Sequence, residues 1–167
     1  DPYTSYYDAK VVRDFVALTQ KLGFSPILLP FKPNGKAMHI KGFLARFSKT
    51  AKTQAEFLNR VAKLNVPLVG VDSAIVLSYR DEYKEALGDS RGDFHVLTAH
   101  EWLTNQLESN TLQSAVKNIA KSDRTFEWHL FPHCAESTFM PNSPKEWQHI
   151  FAQFGQTLNV EKVGCCG

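Results

Sequence analysis

Apolar residues recur at helical spacing at Val11, Val12, Phe15, Val16, Leu18 and Leu22, and Gly23 follows them. One buried face closed by a glycine predicts a helix over residues 8–22. Ser25-Pro26-Ile27-Leu28-Leu29-Pro30 is a short apolar run that ends in proline, which predicts a buried strand. Phe31-Lys32-Pro33-Asn34-Gly35-Lys36 reads as a loop by its Pro, Asn and Gly content. Phe43, Leu44 and Phe47, then Phe57, Leu58, Val61, Ala62 and Leu64, predict helical sequence broken near Ser48–Thr53. Pro67-Leu68-Val69-Gly70-Val71 predicts a strand, and Asp72-Ser73-Ala74 a turn opening the next helix, with Asp72 as its cap. Phe94-His95-Val96-Leu97 is a third strand. Thr98-Ala99-His100-Glu101 has the spacing of a capping box before a helix through Trp102, Leu103 and Leu107. Leu112, Val116 and Ile119 mark further helix.

Thr125 to Phe131 reads as a strand ended by Pro132. Ser143-Pro144-Lys145-Glu146 predicts a helix start with Ser143 as N-cap, and Trp147, Ile150, Phe151 and Phe154 form its apolar face up to Gly155. Val160–Val163 is expected as a last strand. Strands alternating with helices predict an α/β fold with a largely parallel sheet and flanking helices. Ligands in such folds gather at loops following strands. Here those are Lys32–Lys36, Asp72–Ala74, His133–Thr138 and the Cys165-Cys166-Gly167 turn.

The chain also overlays on itself. Leu29-Pro30-Phe31-Lys32-Pro33 sits against Leu130-Phe131-Pro132-His133-Cys134, and Leu68-Val69-Gly70-Val71-Asp72 against Lys162-Val163-Gly164-Cys165-Cys166. This suggests one supersecondary unit used twice, with halves meeting at about residue 90. The second half carries cysteines where the first has Pro33, Val71 and Asp72.

Composition adds bounds. The 167 residues, 43% hydrophobic and 22% charged, are ordinary for a globular chain and enough to fold without a metal or disulfide. The net charge of +2 is spread along the sequence, with a loose basic cluster from Lys36 to Lys52. It reads as a solvated face, so no nucleic-acid partner is expected. No apolar run approaches a transmembrane segment, and no signal peptide opens the chain. It starts at Asp1 rather than Met, as an excised piece of a longer protein would. Three cysteines, an odd number, make a poor disulfide framework and suit a reducing, cytoplasmic compartment.

Cys134, then Gly164-Cys165-Cys166-Gly167, resembles the cysteine-rich, or CCG, domain found in heterodisulfide reductase and in the iron–sulfur component of glycolate oxidase. The family pattern is a Cys, a long gap, Cys-Cys-Gly and a later Cys-x-x-Cys, which would lie past Gly167. Pro33-Asn34-Gly35-Lys36-Ala37, Phe131-Pro132-His133-Cys134 and the final Cys-Cys-Gly are similar to the C-terminal region of large bacterial FAD-linked oxidoreductases of D-2-hydroxyacids, with D-lactate and D-2-hydroxyglutarate as candidate substrates. The resemblance implies that the whole of residues 1–167 is a cysteine-rich region taking part in electron transfer. It implies partners on the same polypeptide, a flavin domain binding FAD and a ferredoxin-like iron–sulfur segment. It implies a parent protein in the cytoplasm or peripheral at the inner membrane. The isolated region would have no dehydrogenase activity. The first half lacks cysteines at the equivalent positions, so at most one cluster site is expected.

The ligand chemistry stays open at this level. A 4Fe–4S cluster is usually held by four thiolates, and Cys134, Cys165 and Cys166 supply three. Neighbouring side chains diverge, so an adjacent pair does not easily face one cubane; the resemblance to heterodisulfide reductase implies that it can serve an unusual cluster. His133 beside Cys134 offers the alternative of a tetrahedral zinc site, three thiolates and an imidazole, and with it a structural packing domain instead of an electron carrier. A disulfide from Cys134 to one of the pair, or a merely buried Cys134, are further readings. His39, His95, His100, His129 and His149 read as satisfied or exposed side chains. Asp81-Glu82-Tyr83-Lys84-Glu85 reads as a solvated helix face, and Arg91-Gly92-Asp93 as a turn. No nucleophile elbow, P-loop or dinucleotide glycine motif occurs.

Overall fold

Two pairs of parallel strands, each covered by helices, organise the computed structural model, which describes residues 6–108, 112–119, 126–162 and 164. The chain is α/β, as its pattern predicts. The strands pair two by two among the described residues, not in one continuous sheet. Two compact units result. The first holds residues up to Ala9 and Leu28–Thr98; the second holds Lys10–Ile27 and the residues from Ala99 onward.

In the first unit, helices α2 (Lys36–Ile40) and α3 (Leu44–Ala62) precede strand β1 (Leu68–Gly70). Helices α4 (Ser73–Arg80) and α5 (Glu82–Leu87) and a short 3-10 turn lead to strand β2 (Val96–Thr98). β1 and β2 run parallel, with Leu68 opposite Val96 and Gly70 opposite Thr98. The core gathers Phe47, Ala51, Ala55 and Leu58 of α3 with Leu68, Val76, Tyr83, Phe94 and Val96. Helix α3 is unbroken, which corrects the expected interruption at Ser48–Thr53. Phe47, Ala51, Ala55 and Leu58 form one stripe at helical spacing, and Ala51, the only apolar residue in the polar run, is fully buried. Small alanines let the helix sit close to its neighbours, so the sequence signal there is weak although the packing is tight.

Gly35, at φ 80°, caps α2; a Cβ there would stand 2.9 Å from the Phe47 ring. Gly70 lets β1 approach α4, since a Cβ would meet Val76 at 2.5 Å. The Asp81–Glu85 segment is solvated at Asp81, Lys84 and Glu85, as expected, but not at its centre. Tyr83 is fully buried, donates its hydroxyl to the Asn34 carbonyl at 2.6 Å, and Glu82 pairs with Lys36. Both bonds fasten the loop before α2 to α5. Burial alone would raise the Glu82 carboxyl, but the hydrogen bond and charge of Lys36, together with hydrogen bonds from the Glu82 backbone and Ser78, outweigh it and hold the group below the ordinary carboxylate range.

The second unit opens with helix α1 (Ala9–Lys21, in this unit from Lys10), close to the predicted 8–22. Phe15 and Phe24 both meet the Trp102 ring edge to face. Helices α6 (Ala99–Glu108) and α7 (Gln113–Ile119) precede strand β3 (Glu127–Leu130), helices α8 (Cys134–Phe139) and α9 (Ser143–Gln153), and strand β4 (Thr157–Val160). β3 and β4 are parallel, from Glu127 opposite Thr157 to Leu130 opposite Val160. β4 therefore ends where the sequence expected it to begin. Leu158 is its buried residue and Gln148 of α9 donates to the Leu158 carbonyl at 3.1 Å, so packing selects the earlier segment. β3 is largely exposed, and Asn159 of β4 donates to Glu127 at 2.7 Å. Helix α9 packs on α6 and β4.

The run Ser25–Pro30 forms no strand, against expectation. Pro26 and Pro30 lack N–H donors, and Ile27 and Leu28 are exposed. An apolar run without a neighbouring strand has no ladder to join.

Phe47→Ala is expected to cost about 3–5 kcal/mol by the cavity it leaves in the first unit, read as a lowered urea midpoint. The depressed Glu82 carboxyl contributes stability that is present above the ordinary Glu range and lost as pH falls through its folded value. Urea midpoints measured from about pH 6 down to about pH 3 should therefore fall, and Lys36→Met should weaken that fall; an unchanged acid profile in the variant would contradict this role.

Candidate functional site

The loop after β3 carries the sequence-predicted cysteine. Pro132 stops the strand, and His133 takes extended backbone (φ −62°, ψ 138°) just before α8. Its Nδ1 accepts the Ala135 N–H at 3.2 Å, so His133 caps the helix with a ring nitrogen. Cys134 is the first helical residue, exposed and not in a disulfide. Its carbonyl accepts the Thr138 hydroxyl at 2.9 Å. The Ser137 N–H returns to the His133 carbonyl at 2.9 Å, closing the first turn. Backbone and side-chain bonds thus fix the turn and leave the Cys134 sulfur facing outward. A surface thiol on an ordered turn fits a ligand or redox role, and it corrects the reading of Cys134 as a small buried hydrophobe.

Cys165 and Cys166 lie outside the described residues. Gly164, just before them, has open space around it. Among the described residues no group of three or more His, Cys, Asp or Glu side chains is arranged to hold a metal ion. His133, the other described candidate ligand, has Nδ1 occupied by the cap, which leaves Nε2 for another partner.

In the first unit, Asn34 Oδ1 in the loop before α2 accepts the Lys36 N–H at 3.0 Å, and that loop holds no sulfur. Asp72 caps α4 by accepting the Ile75 N–H at 3.2 Å, as expected. Arg91 of the Arg-Gly-Asp turn points inward. It donates to the carbonyls of Tyr79 (2.8 Å), Gly92 (2.8 Å) and Phe94 (3.0 Å), and its guanidinium lies over the Phe94 ring. His129 pairs with Glu161 at 2.6 Å on the surface.

One group of residues escaped the sequence reading. His100 of α6 is buried, with Nδ1 3.7 Å from Glu136 Oε1 and Nε2 3.3 Å from Glu146 Oε2. Glu136, on α8 two residues past Cys134, is buried as well and accepts the Trp147 Nε1–H at 3.2 Å and the Ser143 hydroxyl. Ser143 was expected to cap α9; it is instead the first residue of that helix, after Asn142, and gives its hydroxyl to Glu136. Nothing in the spacing of these residues announces a cluster, because three separate helices bring them together.

Comparison with known proteins places this geometry beside a consistent set of relatives. The chain is 81% identical over all 167 residues to a protein named D-2-hydroxyglutarate dehydrogenase from Haemophilus influenzae. It is 58% identical to the protein of that name from Escherichia coli and 35% identical to that from Pseudomonas putida, again over its whole length. It spans only 16% of the length of each relative. No family model and no solved structure matches the chain significantly. No described helix is long and apolar enough to cross a membrane.

In the metal-free chain, Cys134 is expected to react with iodoacetamide within about threefold of its rate in the unfolded chain, as an exposed thiol should. Peptide mass spectrometry reads the rate, and strong protection would contradict the outward-facing sulfur.

Proposed function

We propose that this chain is the cysteine-rich part of a longer FAD-linked oxidoreductase acting on a D-2-hydroxyacid, with D-2-hydroxyglutarate as substrate. Its whole-length match to proteins named for that activity carries the reading. Cys134, Cys165 and Cys166 are the proposed ligands of an iron–sulfur centre, completed by residues past Gly167. FAD and substrate bind on other parts of the polypeptide, and a ferredoxin-like segment lies between them and this region. Oxidising a 2-hydroxyacid to a 2-oxoacid releases two electrons and two protons. Flavin supplies acceptance of the pair, and an iron–sulfur centre supplies onward one-electron transfer.

Two features support assigning the residues this way. Cys134 presents a free sulfur on a turn fixed by its own hydrogen bonds. His133 is committed to the helix cap through Nδ1, which favours thiolates as the donors over a mixed zinc set. The two units, each with one parallel strand pair, are proposed as copies of one ancestral unit, only the second of which kept the sulfur ligands. The parent protein is proposed to work on the cytoplasmic side, either free or peripheral at the membrane.

The full-length protein, purified without oxygen, should contain iron and sulfide beyond the needs of the ferredoxin-like segment. Cys134→Ser should remove one EPR signal with flavin content unchanged, and slow electron delivery to the terminal acceptor by at least about tenfold. Reduction of the flavin by substrate should persist. Stoichiometric zinc without that signal, or unchanged iron and EPR in Cys134→Ser, would overturn the assignment.

A further inference from the structure

Helix α8 has six residues, too few to persist by itself, so something outside it must hold it in place. In most short helices that anchor is an apolar side chain. Here the one buried side chain of α8 is Glu136; Cys134, Ser137, Thr138 and Phe139 are all exposed. A carboxylate so enclosed is costly unless several donors meet it. Ser143 and Trp147 of α9 donate to it, and His100 of α6 stands on the same oxygen at 3.7 Å. His100 is itself enclosed and reaches Glu146 of α9 through its other nitrogen at 3.3 Å. Its ring also lies against Trp147, centroids 5.6 Å apart. A neutral imidazole has one N–H and can serve one of these carboxylates; an imidazolium serves both.

The geometry points to Glu136 as a positioning residue: through Ser143, Trp147 and His100 it locks the turn that carries Cys134 to helices α6 and α9. Polar anchorage differs from apolar anchorage in its directionality. An apolar plug tolerates sliding and rotation, whereas a carboxylate met by two donors from α9, with His100 of α6 beside it, restrains the helix that bears it in both respects. A ligand sulfur has to be held within a few tenths of an ångström, so this kind of support is what a metal site needs from the residues behind it. The proposal rests on the reading of Cys134 as a ligand, while the lock itself is measurable without any metal.

The test uses the full-length protein and two measurements. Hydrogen exchange of the 135–140 amides should accelerate about ten- to hundredfold in Glu136→Ala, as expected when buried donors lose their acceptor. Glu136→Gln keeps an acceptor for Ser143 and Trp147 and should show a smaller effect, which keeps the test usable if the alanine variant fails to fold. Ile150→Val, which thins the core of the same unit without touching Glu136, should leave that peptide's exchange unchanged relative to the rest of the unit. Resistance of the Cys134-dependent centre to a chelator should fall about tenfold in Glu136→Ala and recover in Glu136→Gln. Unchanged exchange in Glu136→Ala, or the same local acceleration in Ile150→Val, would overturn the lock. Accelerated exchange with no change in chelator resistance would reduce Glu136 to a structural residue and overturn the positioning role. If Cys134→Ser alters no metal content, the ligand reading falls by itself, and exchange alone decides whether the lock exists.

Discussion

Parallel strands cannot be joined by a tight turn; the chain must cross over between them, and the crossover must pack on the strands it connects. This constraint shapes both units. Between β1 and β2 the crossover is α4 and α5, and between β3 and β4 it is α8 and α9. With only two strands in each pair, neither has a sheet wide enough to bury a face alone, so the helices carry the stability. The loop that leaves the first strand of each pair then becomes the natural place for chemistry. In the first unit that place is occupied by Asp72, which caps a helix, and in the second by the His133–Cys134 turn.

The two crossovers are held by different physics. Around α4 and α5 the anchoring is mostly apolar and aromatic. Val76 sits against Gly70, and Tyr83 packs edge to face with both Phe47 and Tyr79. Polar bonds there finish the loops: Asn59 donates to the Ala55 and Arg91 carbonyls and accepts from the Asp93 and Phe94 amides. Around α8 the order is reversed, and a buried carboxylate is the anchor. Burial of a charged group with several donors is a weak source of net stability and a strong source of geometric definition. Under the proposed function the first unit serves as scaffold and the second holds a reactive group in register.

Relatives roughly six times as long as this chain set the scale of what surrounds it. Exposed apolar residues such as Ile27, Leu28, Phe31, Phe131 and Phe139 are surface that a larger protein has scope to cover. Under the proposed function this region presents a centre at a fixed place, and the geometry behind Cys134 then matters as much as the sulfur itself.

The pattern of the sequence alone determined the α/β class, the helix at Ala9–Lys21, the one begun at Ser143 and the Asp72 cap. Each of these rests on short-range physics: periodicity and capping chemistry. The tertiary structure decided the rest. It kept α3 whole because Ala51, weak as a hydrophobic signal, fits a close contact that a larger residue would not. It left Ser25–Pro30 without a partner, because strand formation needs a neighbour that no local pattern can supply. It moved β4 upstream, to where Leu158 could be buried. Above all it assembled Glu136, Ser143, Trp147 and His100, which local pattern reads separately as a polar position, a helix cap, part of an apolar face and a scattered histidine. Their meeting depends on where three helices are brought by packing, and that information is carried by contacts distant in sequence.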